Sequence, residues 1–198
     1  MPEFDGFLVA RLAAAFLLGS IPFAVLAMAG TGVDIRKIGS GNPGFNNVLR
    51  FSKPRALVCL AGDAGKGAVA LLALRRPGES IEVAWLLALA VMLGHCYSPW
   101  LKFQGGKGVA TSAGVMLVLY WKPALACLAL YVAGRLVGSR RKWVESGAKA
   151  SLAAALLFTV LVLAGEGLRQ GLYAAVLVAV ITWRHRDNLR RMLGAASS

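Results

Sequence analysis

Long apolar runs in this chain alternate with short polar segments rich in glycine and basic residues. Seven of the runs have the length and character of helices. They cover about Phe7 to Ala29 (with Pro22 as a kink), Ala56 to Leu74, Glu82 to Leu101, Val109 to Tyr120, Pro123 to Val137, Ala148 to Ala164 and Gly171 to Trp183. Val83 to Leu101 is a stretch of 19 residues without a formal charge, close to the ~20 that cross a bilayer. The fourth run is too short to cross alone unless its ends are sheltered. The pattern predicts a single all-α domain, residues 1–198, built as a polytopic transmembrane bundle of about seven helices. A five-span arrangement with a re-entrant fourth segment is the alternative.

Composition agrees with that reading. The 198 residues are 58% hydrophobic with a mean hydropathy of +0.65, above the range of soluble domains. The net charge of +13 would raise nucleic acid as a partner in a soluble protein. Here the charges fall in short loops between apolar runs, so they read as membrane-orienting residues and no nucleic-acid partner is expected. Cys59, Cys96 and Cys127 each sit in an apolar run, odd in number and without metal-ligand spacing, which predicts buried thiols and no disulfide framework. The first residues, Met1-Pro2-Glu3-Phe4-Asp5, carry acid and no base, unlike a secretory leader, so the first run is expected to be retained as a span. Gly194 to Ser198 reads as a free tail.

Basic residues by loop give the orientation. Five lie in residues 30–55, two in 102–107, five in 135–149 and four from Arg184 onward, sixteen in all. The opposite loops offer only Arg75, Arg76, Lys122 and Arg169. The basic side faces the cytoplasm, which puts the amino terminus outside and the carboxyl terminus in the cytoplasm. Seven spans bring three polar signatures to that same cytoplasmic face.

The first signature is Gly39-Ser40-Gly41-Asn42-Pro43-Gly44, followed by Asn46, Asn47 and Arg50. It matches the dinucleotide pattern G-x-G-x-x-G, but the chain has no room for the βαβ unit that pattern requires. A plain turn is one reading. The other is an anion site, in which glycine backbone lets amides converge on a phosphate and Arg50 grips it with paired hydrogen bonds. The second signature is Gly105-Gly106-Lys107-Gly108 before the short fourth helix. Gly108 stands where a Walker loop has Ser or Thr, so this is no nucleotide-magnesium loop. A helix amino terminus next to Lys107 does suit a phosphate. The third is His185-Arg186-Asp187-Asn188, in which His185 and Asn188 are i, i+3 neighbours extending from the seventh helix. Its alternative is a basic tail on anionic headgroups. Asp63 and Lys66, also i, i+3, lie inside the second span and are expected to neutralise each other and orient their helix against the loops. His95, at the cytoplasmic end of the third span, reads either as an interfacial histidine packed beside Trp100 and Lys102 or as a support for the same loops.

These ordered segments resemble the bacterial integral-membrane acyl-phosphate:glycerol-3-phosphate acyltransferases (the PlsY family). The resemblance runs through Gly39 to Arg50, Asp63-Ala64-Gly65-Lys66-Gly67, Gly94-His95 to Thr111, and His185 to Arg191. It implies a phospholipid-synthesising enzyme of the bacterial inner membrane. That enzyme moves an acyl group from acyl-phosphate to the 1-hydroxyl of glycerol 3-phosphate, giving lysophosphatidic acid and phosphate. It implies catalytic roles for His185, Asn188 and Lys107. Substrate contacts fall to Ser40, Gly41, Asn42, Asn47, Arg50, Gly105, Gly106, Lys107, Gly108 and Ser146. Acyl-phosphate is already activated, so no covalent nucleophile is needed; either His185 or a substrate phosphate oxygen takes the proton. No cofactor and no metal are expected, and the partners are the two substrates and membrane lipids. The chain departs from the family at Phe45-Asn46-Asn47, where many relatives have Ala-Thr-Asn, and at Glu145, which follows Trp143-Val144 where serine is usual. These departures leave open a paralogue that acylates another acceptor. A transporter or binder of phosphorylated molecules is the non-enzymatic alternative, against which stands the lack of inverted repeats.

Overall fold

The computed structural model describes residues 6–194. The acidic amino terminus, Met1 to Asp5, and the tail from residue 195 lie outside the described residues. The described chain is all helical, with ten α-helices and two short 3-10 turns. It divides into two compact units, one ending at Val118 and one starting at Leu119.

The first unit holds α1 (Gly6–Ser20), α2 (Phe23–Ala27), α3 (Phe45–Phe51), α4 (Lys53–Leu74), α5 (Ile81–Cys96) and most of α6 (Val109–Leu119). The kink expected at Pro22 is a full break. Proline lacks the N–H that would continue the ladder, and residues 21–22 leave the helix. The Ile21 carbonyl turns aside and accepts a hydrogen bond from Lys66 Nζ at 2.9 Å. α1 and α5 pack backbone to backbone. A Cβ on Gly19 would run into the Val91 carbonyl oxygen, and one on Gly94 into that of Phe16. Close approach through small residues is how helices associate where lipid supplies no hydrophobic drive. α4 and α6 meet in the same way through Gly67 and Gly114. Ten of the sixteen residues of α5 are buried, which lets this helix carry His95 into the interior.

The second unit consists of α7 (Trp121–Arg140), α8 (Ser146–Glu166), α9 (Leu168–Arg184) and α10 (Arg186–Met192). α8 packs against both α7 and α9. Phe158, Val162, Leu177 and Ile181 form its buried interior, with the Tyr120 ring 6.2 Å from that of Phe158.

Among the described residues, four segments are long and apolar enough to cross a membrane: Gly6–Ala27, Lys53–Leu74, Ile81–Leu101 and Ser146–Glu166. Large apolar side chains face outward along them; Leu72 is 71% exposed and Leu57 63%. Each of the seven expected runs has a helical counterpart. The structure adds one short helix where a loop was expected, α3 beside the first signature, and makes the third signature a separate helix, α10. The seventh run does not extend through Asn188 as one helix. It ends at Arg184, and His185 separates α9 from α10.

Candidate functional site

The first signature is held by one side chain. Asn47, on α3 and 2% exposed, spends its amide on the loop before it. Its Oδ1 accepts from the Ser40 amide at 3.0 Å, and its Nδ2 donates to the carbonyls of Ile35 and Ile38 at 2.9 and 3.0 Å. Gly39 has φ +58°, and a Cβ there would strike Asn47 Oδ1, so only glycine lets the loop close this tightly. Asn47 was expected to touch substrate; the geometry makes it the residue that positions Ser40. Ser40 itself is exposed, and Gly41 and Asn42 are half-buried.

The basic residues around this loop fare differently. Arg36 pairs with Asp34 at 2.8 Å, and its hydrogen bonds hold the Asp34 carboxyl down to about 2. Arg55 donates to the Ala27 and Ala29 carbonyls. Arg50 is exposed, with its guanidinium set over Gly39. Among the described residues it makes no side-chain hydrogen bond or ion pair. A guanidinium so placed suits a phosphate.

The second signature folds back on α5. After the 3-10 turn Pro99–Leu101, Lys102 and Phe103 take left-handed conformations at φ +51° and +61°. The chain then reverses, so that the Gly105 amide donates to the Cys96 carbonyl at 3.0 Å and the Gly106 amide to that of His95 at 3.1 Å. A Cβ on Gly106 would collide with His95 Nε2 and would come 3.1 Å from the Pro43 carbonyl oxygen. The first two signatures therefore touch, with Gly106 between His95 and Pro43. Gly105 and Gly106 were expected to cradle phosphate with their amides. The structure commits those two N–H groups to the fold. α6 begins two residues after Lys107, and the first-turn amides of a helix have no partner within it.

Beneath this loop lies a buried charge cluster. Asp63 Oδ1 is 2.7 Å from Lys66 Nζ and 3.3 Å from His95 Nδ1, with all three side chains under 10% exposed. Lys66 reaches the Ile21 carbonyl. Ser98 Oγ donates to the Ser20 carbonyl at 2.6 Å, and Trp100 Nε1 to Ser20 Oγ at 2.9 Å. The Asp63–Lys66 pair is joined by His95, which was not placed with it from the sequence, and the three tie α4 and the α1–α2 break to the glycine loop. Sequence reasoning missed Ser20 and Ser98. The available signal was Pro22, which frees carbonyls in the preceding turn.

In the second unit, His185 is 3% and Asn188 4% exposed. His185 Nδ1 lies 2.8 Å from the Ile181 carbonyl. A carbonyl only accepts, so Nδ1 carries the proton, and in the neutral ring Nε2 is the basic atom. Asn188 Nδ2 donates to Glu145 Oε2 at 2.6 Å, and Arg191 Nε to Glu145 Oε1 at 2.6 Å. Ser146 Oγ accepts from Arg135 at 2.7 Å. Glu145, an isolated departure in sequence, is the residue on which α10 is anchored.

The helical architecture, its outward apolar surface and its buried charges define an integral membrane protein with a polar, anion-suited site. Comparison with known proteins assigns its class. The glycerol-3-phosphate acyltransferase family model matches residues 9–195. The glycerol-3-phosphate acyltransferase of Dechloromonas aromatica is 43% identical over 189 residues, 94% of this chain and 93% of that one. That of Gluconobacter oxydans is 40% identical over 98% of this chain and 93% of its own. The crystal structure of PlsY (YgiH), an integral membrane glycerol 3-phosphate acyltransferase in its glycerol 3-phosphate form, matches with a TM-score of 0.84 at 32% identity, covering 98% of this chain and 95% of that one. Its lysophosphatidic acid form matches with a TM-score of 0.81. The chain belongs to the glycerol-3-phosphate acyltransferase family and is an acyltransferase, which removes the transporter reading.

Proposed function

We propose that this enzyme transfers an acyl group from acyl-phosphate to the 1-hydroxyl of glycerol 3-phosphate, in phospholipid biosynthesis. The products are 1-acyl-glycerol 3-phosphate and inorganic phosphate. The observation that carries the reading is the contact of the two glycine signatures at Gly106, Pro43 and His95. It makes one built edge of phosphate-suited groups, with no residue among those described arranged as a covalent nucleophile. That matches a reaction whose donor is already activated.

The chemistry then needs positioning and charge stabilisation. The hydroxyl oxygen attacks the acyl carbonyl carbon, the bond from that carbon to the phosphate oxygen breaks, and phosphate leaves with the electron pair. Lys107 and the first-turn amides of α6 stabilise phosphate charge. Arg50, Ser40, Gly41 and Asn42 bind phosphate and the acceptor, with Asn47 holding Ser40 in place. Asn188 aligns the acceptor hydroxyl, and His185 Nε2 or a substrate phosphate oxygen takes its proton. Ser146, Gly105, Gly106 and Gly108 shape the binding surface, while Asp63, Lys66 and His95 fix the loop beneath. Holding two reactants in register contributes up to ~7–11 kcal/mol of barrier reduction. The enzyme lies in the bacterial inner membrane as a seven-span protein, amino terminus outside and active site toward the cytoplasm, an orientation supported by the asymmetry of basic loops.

The test is phosphate release by the purified protein given palmitoyl-phosphate, with and without glycerol 3-phosphate, in the presence of a chelator. The expected result is acceptor-dependent release, indifferent to chelation. Silence with glycerol 3-phosphate but release with another alcohol would point to a different acceptor and to Phe45, Asn46 and Glu145 as its determinants.

A further inference from the structure

Glu145 sits at the start of α8 with left-handed backbone, φ +56°, in a turn where Lys142 is also left-handed at φ +54°. Such a conformation is unfavourable for a residue with a side chain and persists only where its surroundings over-determine it. Here the determinants are visible. Both carboxylate oxygens are taken by α10, Oε2 by Asn188 Nδ2 and Oε1 by Arg191 Nε, each at 2.6 Å. Asn188 and Arg191 are i, i+3 neighbours on one face of that helix.

The chemistry of the pair is directional. An ionised carboxylate only accepts, whereas a carboxamide has one donating and one accepting end. Glu145 therefore selects one of the two amide orientations of Asn188, with Nδ2 toward the carboxylate and Oδ1 turned away from it. Arg191, a cation that cannot lose its proton, holds the other carboxylate oxygen, so that the carboxylate lies between the two donors. We infer that Glu145 is a positioning residue of the acyl transfer reaction. It fixes which end of the Asn188 amide faces the carboxylate, and through that the orientation in which Asn188 meets the reacting groups. This inference rests on the role proposed for Asn188.

Glu145→Gln tests it, because the substitution keeps size and shape. Glutamine offers a single side-chain oxygen. The Arg191 cation claims that oxygen, and the new NH2 meets Asn188 and turns its amide over. Kinetics of the full-length protein in detergent, with palmitoyl-phosphate and glycerol 3-phosphate, supply the readout. The expected result is a kcat lowered by about tenfold or more, the scale on which partners that orient a functional side chain act. KM for each substrate stays within about twofold, since no binding group is removed. Adding Arg191→Ala to Glu145→Gln restores most of the loss, because the glutamine oxygen then becomes available to Asn188 Nδ2. In an Asn188→Ala background Glu145→Gln has no further effect. Parental kcat in Glu145→Gln overturns the inference. So does a loss that Arg191→Ala leaves unrelieved, or one that multiplies with that of Asn188→Ala. Parental activity of Asn188→Ala alone overturns the reading beneath it, and this inference with it.

Discussion

Two polar segments of this chain are held in place by opposite means. The Gly105–Gly108 loop is fixed by its own backbone, with amides bonded to the carbonyls of His95 and Cys96 and a glycine where any side chain would meet His95. Asn188 is fixed by a side chain 43 residues away, the carboxylate of Glu145. A backbone-built site tolerates no added atom and depends on the burial of what lies beneath it. A site held by a carboxylate tolerates changes of shape but is sensitive to which atoms donate and accept. Substitutions beneath the glycine loop therefore act on folding, and those at the Glu145 contact on turnover.

The deepest support of the glycine loop is the largest lever. Asp63→Ala leaves the Lys66 ammonium buried without its carboxylate, and losing one partner of a buried pair costs about 3–5 kcal/mol. Thermal unfolding of the detergent-solubilised protein is expected to show that loss. If Asp63→Ala melted like the parent protein while Glu145→Gln did not, the contrast between the two regions would be reversed. Lys107→Ala comes next. On the role proposed for Lys107 it removes one charge-stabilising donor, and it is expected to lower kcat about 10²- to 10³-fold with little change in melting temperature. Unchanged acyl transfer would remove Lys107 from the reaction.

Packing beneath the same unit has a smaller effect. Gly94→Ala drives a methyl into the Phe16 carbonyl, and such overpacking costs about 1–3 kcal/mol. The expected result is lower stability, with kcat preserved in the fraction that remains folded. The smallest effect lies at the other end of the first unit, away from either signature. Arg11 grips Glu79 through two hydrogen bonds at 2.8 and 2.7 Å, which holds the Glu79 carboxyl down to about 2 from its ordinary 4.5. A lowered value means that this pair stabilises the fold above pH 4.5, and that the contribution fades as pH falls toward about 2. Glu79→Gln should therefore melt slightly below the parent at pH 7 and level with it near the acid limit. A gap that widened on acidification would contradict the pairing.

How much was legible in the sequence follows the same division. Backbone features announced themselves. Glycines in apolar surroundings, a proline in a helical run, and an acid and a base at i, i+3 inside a span each have few physical explanations. Arg50 and Lys107 stood out as candidates because full charges near glycine suit an anion. What the sequence hid were local breaks and long-range pairings. α3 is a seven-residue helix, too short for periodicity to detect. The interruption at His185 falls within a continuous helical pattern. That the Gly105 and Gly106 amides serve the fold depends on two left-handed residues, Lys102 and Phe103, with no glycine to signal them. Glu145 showed only as a residue where serine is usual, since nothing local links it to Asn188 and Arg191.

The measurement that tests the account most directly follows product and donor together. Purified enzyme is given glycerol 3-phosphate with palmitoyl-phosphate or, separately, with palmitoyl thioester, and lysophosphatidic acid and phosphate are quantified by mass spectrometry and phosphate assay. The account predicts one phosphate released for each 1-palmitoyl-glycerol 3-phosphate formed, and no product from the thioester alone. Product formed from the thioester, or phosphate released without lysophosphatidic acid, would contradict it.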